Sequence, residues 1–339
     1  MLAVIRADAS TSIGSGHVMR CLTLAHRLKK EKNAKVVFVM RVLPGNLIDV
    51  VEKQGFDVLK LPSANQKYNL NGYGLWLTVP MEVDAQQTIE MLQRYFQEHC
   101  CNVLDRLIVD SYALDEQWEQ RLRPYCREIM VIDDLANRRH DCDILLDQNF
   151  YLNKDARYAG LVPEHCKMLL GPEHALLREE FREAKKHLRK RDGTIKNILV
   201  FYGGSDLTNE TEKAIKALVQ LHDEGYSFTA DIITGVSNSR RDKIEHLCSK
   251  YRFLHYYCQV SNMAEFMNKA DLMLGAGGST TWERLYMELP ALVTAVAENQ
   301  IQGCEDCSQA GIIEYLGINE DVRVDTILEA LHKKLDKHN

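Results

Sequence analysis

Residues 2–30 read LAVIRADASTSIGSGHVMRCLTLAHRLKK, and the fold turns on how that stretch divides. Leu2 to Arg6 is a mostly apolar run, short enough for a buried strand. Asp8 to Gly16 is a loop of small and polar residues. From His17 to Lys30, Val18, Cys21, Leu22, Ala25 and Leu28 recur at the spacing of one helical face. A strand passing through a small-residue loop into a helix is the first half of a crossover unit. Such units predict a parallel sheet with helices on its faces, because parallel neighbours need a long connection across the sheet.

The pattern repeats outward. Strands are expected at 35–40, 56–61, 106–109, 128–132 and 144–146. The helical stretches between them are 46–54, 83–98 and 116–124, with a polar loop before the second of these. A charged segment, 178–192, follows. Glu179, Glu180 and Glu183 precede its basic residues, as on an exposed helix, which predicts a solvated linker helix rather than a nucleic-acid patch. After Gly193 the alternation restarts, with strands at 197–202, 229–234, 272–274 and 291–295. Helices are expected at 210–222, 241–249, 263–269, 281–287, 301–310 and 326–335. No short internal repeat or low-complexity tract interrupts this. The expectation is an α/β protein of two doubly wound domains, 1–175 and 196–339, joined by a linker helix over 176–195. Such domains bind ligands where strand ends lead into helices, so two facing each other predict one interdomain cleft.

Composition narrows the classes. The 339 residues are 45% hydrophobic and 27% charged, ordinary for a globular chain and large enough for two cores. With 42 Lys+Arg against 48 Asp+Glu the net charge is −6, without the basic footprint of a nucleic-acid binder. The apolar stretch from Leu289 to Ala297 is about half of what a membrane helix needs. MLAVIRADAS reaches Arg6 and Asp8 before a signal-peptide core could develop, so a cytoplasmic protein is expected. The ten cysteines are scattered, and Cys304-Glu305-Asp306-Cys307 lacks the second pair of a zinc ribbon; reduced thiols follow. Nothing in the sequence fixes the oligomeric state, and a monomer is compatible with it.

The strand-to-helix loops carry the candidate chemistry. Gly14 and Gly16 allow a tight turn or close approach to a ligand, but the loop has neither the dinucleotide fingerprint nor the Walker ending. His17 stands at a helix start, where the dipole disfavours imidazolium; a neutral imidazole is what a general base requires, while a capping or packing histidine remains the alternative. Tyr112 follows the strand ending at Asp110, able to present its hydroxyl or merely to pack. Asp133-Asp134 follows the next strand, open to metal binding, water activation or capping, with no third ligand at fixed spacing. In the second half, the Gly203-Gly204 loop lies where backbone amides meet phosphate. Gly278, Ser279 and Thr280 do the same before the helix carrying Glu283. An acid there would repel phosphate, so Glu283 is expected to aim at ribose hydroxyls. Asn299 and Gln300 follow the next strand, where amides can hold a sugar. Two such loops in one domain point to a nucleotide, with tight turns and caps as the alternative.

RADASTSIGSGHVMRCLTLA (6–25), DDLANRRHDCDILLDQN (133–149) and GPEHALLREEF (171–181) together resemble the UDP-2,4-diacetamido-2,4,6-trideoxy-β-L-altropyranose hydrolases of pseudaminic acid biosynthesis. The C-terminal half is also similar to the nucleotide-sugar domain of MurG-type glycosyltransferases, where a glycine-rich loop and a following Glu hold UDP. The resemblance implies the GT-B fold, two Rossmann-like domains with the active site between them. It implies hydrolysis of a UDP-sugar small molecule by inverting attack of water at the anomeric carbon, with no cofactor and no metal. Carried over, His17 is the base, Tyr112 lies near the sugar, and Gly14 falls in the glycine loop. Glu283 is then the ribose acid, Ser279 and Thr280 the phosphate-binding helix start, and Asn299 a sugar contact. A GT-B glycosyltransferase, with His17 acting on an acceptor alcohol, and a silent UDP-sugar sensor are the competing readings. A hydrolysing epimerase would need paired acids not recognisable here.

Overall fold

The computed structural model describes residues 1–336; the last three residues of the domain expected over 196–339 lie outside it. The chain divides into two units. The first comprises Met1–Asn149 and Asn153–Leu176; the second comprises Phe150–Leu152 and the described residues from Leu177 onward.

The first unit is built on seven parallel strands: β1 (Leu2–Ala7), β2 (Lys35–Arg41), β3 (Asp57–Leu61), β4 (Arg106–Asp110), β5 (Ile129–Ile132), β6 (Ile144–Asp147) and β7 (Lys167–Leu170). They lie in the order β3-β2-β1-β4-β5-β6-β7. Ile5 sits opposite Phe38 on one side and Ile108 on the other. The central strands are covered on both faces, which is why they are uninterrupted apolar runs rather than alternating ones. Alternate residues feed separate cores: Val4, Val37, Leu107 and Val131 pack on one face, and Ile5, Phe38, Ile108 and Ile132 on the other. The order of the strands reverses between β1 and β4, so the loops leaving these two strands diverge and open a crevice at their carboxyl ends.

The second unit has six parallel strands: β8 (Asn197–Phe201), β9 (Thr229–Thr234), β10 (Leu254–Cys258), β11 (Leu272–Ala276), β12 (Ala291–Ala295) and β13 (Glu314–Ile318). Their order is β10-β9-β8-β11-β12-β13, which puts the reversal between β8 and β11. The unit has its own two cores, one on each face of the sheet.

Three strands have no counterpart in the sequence reading: β7, β10 and β13. Where that reading has a solvated linker helix over 176–195, the structure has a helix at Glu179–Lys185. Its Phe181 is fully buried among Leu199, Met267 and Met287 of the second unit, so one face of this segment is packed. Among the described residues no helix is long and apolar enough to cross a membrane, and all ten cysteines are free thiols.

Candidate functional site

In the first unit the loop after β1 is shaped by its own side chains. Ser10 Oγ accepts from the amides of Ser12 and Ile13 at 3.2 and 3.0 Å, and Gly14 N donates to Ser10 O at 2.9 Å. Gly14 closes the turn at φ +80°, a conformation that costs other residues about 1–2 kcal/mol. Gly16 has an ordinary φ and open space where a Cβ would stand. At the ends of β1 and β2 lies a buried ionic network. Asp84 takes Arg6 at 2.7 Å, Arg41 at 2.6 Å and the Trp118 indole at 3.0 Å, while Asp8 pairs with Arg6 at 2.7 Å. Pairing offsets much of the cost of burying these charges, and it pins the ends of β1 and β2.

The loop delivers His17 to the first turn of the helix Gly16–Lys32, where it is 8% exposed. Its Nδ1 lies 2.6 Å from Oδ1 of Asp110, the last residue of β4. One helical turn on, Arg20 grips the same carboxylate with Nε at 2.6 Å and Nη2 at 2.7 Å, and Cys21 Sγ donates to it at 3.4 Å. Burial pushes the Asp110 carboxyl upward, but Arg20 and His17 outweigh it and hold it well below the usual carboxylate range. An ionised carboxylate only accepts, so the imidazole proton sits on Nδ1 and the Nε2 lone pair is left for chemistry. Arg20 Nη2 also comes within 3.3 Å of Nδ1; with that nitrogen already donating to Asp110, this is proximity and not a hydrogen bond.

Arg20 Nη1 extends the network to Asp134 at 3.1 Å, and the Tyr112 hydroxyl donates to Asp134. Burial and the Asp134 charge push the Tyr112 phenol well above its ordinary value, so it keeps its proton at neutral pH. The Tyr112 ring stands edge-on to His17 at 4.7 Å. Trp76 and Tyr73, from the turn around the short helix Gly74–Leu77, complete an aromatic wall about the imidazole. Asp133 goes elsewhere, to Arg138 at 2.7 Å and the Ala136 amide at 2.9 Å, so the two adjacent acids do not form a pair. Among the described residues no group of three His, Cys, Asp or Glu side chains is placed to hold a metal ion.

The structure thus brings His17 and Tyr112 together. Sequence reasoning missed Arg20, the role of Asp110, and the Tyr73–Trp76 wall. The available signals were Arg20 three residues after His17, and two aromatic residues at helical spacing inside a polar loop.

In the second unit the two glycine loops differ. After β8, Gly203 takes φ +90°, and Gly204 O accepts from Gly235 N at 3.0 Å. A Cβ on Gly235 would meet Gly204 at 2.6 Å, so these glycines serve a close approach of two loops. The Asp206 carboxylate accepts from the Glu210 and Thr211 amides, both at 2.9 Å, at the start of the helix Glu210–Asp223. Those amides are therefore taken, and an acid already stands where a phosphate was expected. The loop after β11 has no such occupant: Ser279 makes no capping bond to the helix Thr280–Tyr286. Gly277 is packed so closely that a Cβ there would lie 2.2 Å from Cys304 Sγ. Beside Gly278, Gln300 is fixed by its Oε1 accepting from Val296 N at 3.0 Å. Asn299 is exposed on the turn Glu298–Gln300. Glu283 is half-buried with Oε1 bound to Arg178 Nε at 2.8 Å. Burial raises its carboxyl, with Arg178 opposing. The ribose role expected of Glu283 therefore falls to a carboxylate that already has a cationic partner. That partner belongs to the segment GPEHALLREEF.

No family model matches the chain. It is 26% identical over 310 residues to an uncharacterized protein of Methanocaldococcus jannaschii, covering 89% of this chain and 57% of that one. The chain thus spans little more than half of that relative. It is 25% identical over 301 residues to the UDP-2,4-diacetamido-2,4,6-trideoxy-β-L-altropyranose hydrolase of Campylobacter jejuni, covering 88% of this chain and 93% of the hydrolase. The resemblance carried by the sequence motifs is therefore present along most of the chain. Among solved structures, MurG of Acinetobacter baumannii superposes with a TM-score of 0.62 at 12% identity, covering 99% of this chain and 94% of MurG. This likeness establishes the fold as GT-B, with two Rossmann-like domains.

Proposed function

We propose that this chain is a nucleotide-sugar enzyme, and specifically a hydrolase that releases UDP from UDP-2,4-diacetamido-2,4,6-trideoxy-β-L-altropyranose. The observation that carries the reading is the His17–Asp110 pair at 2.6 Å, which fixes the imidazole tautomer and leaves Nε2 as a base. The similarity to the Campylobacter hydrolase supplies the substrate.

In this reading Nε2 of His17 takes a proton from water as the water oxygen attacks the anomeric carbon. The bond from that carbon to the diphosphate oxygen breaks with inversion, through an oxocarbenium-like transition state. Asp110 stabilises the imidazolium that forms, and Arg20 keeps Asp110 ionised. Tyr112, fixed as a phenol against Asp134, orients rather than abstracts. The domain over 196–339 supplies the loop Gly278–Thr280, whose amides share the charge of the departing UDP. Gln300 lines that loop, and Asn299 and Glu283 act on the sugar and ribose.

The test is UDP release from a panel of UDP-sugars, with wild type and His17→Ala run side by side, with and without EDTA. The expected result is turnover of the diacetamido-trideoxy-altrose donor in water alone, insensitive to EDTA and reduced by at least about a hundredfold in the variant. Turnover only on adding an alcohol acceptor would make the chain a glycosyltransferase. Binding without turnover in either assay would make it a sensor.

A further inference from the structure

Arg284 is fully buried, and neither Nη1 nor Nη2 has a hydrogen-bond partner among the described residues. Glu283, beside it in sequence, and Asp306, beside Cys307, are both engaged elsewhere. Glu283 is held by Arg178 at 2.8 Å, and Asp306 accepts from Leu152 N at 3.1 Å and from Gln302 Nε2 at 2.8 Å. The charge-bearing groups that act on Arg284 are two thiols, Cys304 and Cys307. Burial pushes these up to about 12 and about 11 despite the neighbouring cation, so both are neutral near pH 7. Burial also lowers Arg284 to about 10, which still leaves it charged.

A buried cation without a counter-charge is costly, and a well-packed apolar residue in its place is commonly as stable or more so. Its position gives a reason for keeping it. Cys304 Sγ lies directly behind Gly277, and Gln300 flanks both Gly277 and Gly278. Arg284 lies on the helix Thr280–Tyr286 that directly follows this loop, one turn beyond the helix start. Cys304 acts on its charge, so it stands close behind the loop assigned above to the diphosphate. In that low-dielectric setting its field reaches further than it would through water.

We infer that Arg284 is a buried counter-charge for the nucleotide diphosphate, acting through the Gly277–Gly278 loop without touching the ligand. The ligand-free fold holds an uncompensated charge, and diphosphate binding compensates it. This inference rests on the nucleotide-sugar reading.

Two effects of opposite sign follow. Removing the charge relieves the free protein and weakens the bound one, which a purely structural role would not produce. Arg284→Met and Arg284→Lys would be compared with wild type by thermal unfolding without ligand and by calorimetric titration with UDP and with uridine. Arg284→Met is expected to melt at or above the wild-type midpoint. It should bind UDP at least about tenfold more weakly, with uridine affinity kept within about twofold, because only the charge interaction is lost. Arg284→Lys should keep UDP affinity within about threefold. If Arg284→Met does not fold, Arg284→Gln gives the same UDP-against-uridine difference. Unchanged UDP affinity in the neutral variant, or equal weakening of UDP and uridine, overturns the inference and leaves the nucleotide reading standing. A wild-type chain that binds neither UDP nor uridine overturns both.

Discussion

A single carboxylate organises the first-unit site. Asp110 receives the His17 imidazole, Nε and Nη2 of Arg20 and the Cys21 thiol, and it is fully buried. Replacing it with Asn keeps the size but adds N–H donors. The amide competes to donate to Nδ1, which turns the imidazole to its other tautomer and removes the lone pair from Nε2. For Asp110→Asn, kcat is expected to fall on the order of a thousandfold with KM little changed, because the loss is felt at proton transfer rather than in substrate binding. Steady-state kinetics separating kcat from KM checks it. A rise in KM at constant kcat would assign Asp110 to substrate binding. Sequence reasoning found His17 because a histidine at a helix start is conspicuous. It could not rank Asp110, since partners 93 residues apart in the chain leave no local pattern.

Among elements, the strands and helices that were legible are those whose environment writes a pattern. The central strands are buried on both faces and read as apolar runs. The three that went unread, β7, β10 and β13, each lie at a sheet edge, where the exposed Lys167 and His255 and the half-buried Glu314 break the run. The glycine loops show the same limit in reverse. Both looked alike in sequence, yet one helix start is occupied by Asp206 and the other carries no side-chain cap. Gly277 offers a test at this scale. A Cβ at that residue would meet Cys304 Sγ at 2.2 Å, so Gly277→Ala should destabilise the second unit by about 1–3 kcal/mol through overpacking. Shortening the neighbour makes room: the double variant Gly277→Ala, Cys304→Ala should lose less than the sum of the two single changes. Denaturant unfolding of the four proteins measures the coupling, and simple additivity would show that the contact is not what demands glycine.

At the scale of the molecule, each unit has its own cores, so each responds to pH through its own buried groups. In the first unit, Asp84, Asp110 and Asp133 are held below their ordinary values, in each case because arginine partners outweigh burial. Their contribution to stability is present above the unfolded carboxyl value and is lost as pH falls through the folded one. Asp147, at the end of β6, behaves oppositely. Burial first, then the Asp134 charge, pushes its carboxyl up to about 7 from 3.8, against the opposing hydrogen bonds from the Asn149 amide and Tyr158 and the charge of Arg157. The folded state therefore binds a proton that the unfolded state has already lost between these two values. The associated stability is complete below about pH 4 and is lost as pH rises to about 7, a swing on the order of 4 kcal/mol for a shift of roughly three units. Asp147→Asn removes the titrating group while keeping its shape. Its unfolding free energy relative to wild type should rise between about pH 4 and 7 and level off above, whatever other groups contribute to both proteins. Urea unfolding across that range, followed by tryptophan fluorescence, provides the measurement, since Trp76 and Trp118 both report on the first unit. A constant difference between the two proteins at every pH would mean that Asp147 stays ionised in the fold, with Arg157 as its effective counter-charge.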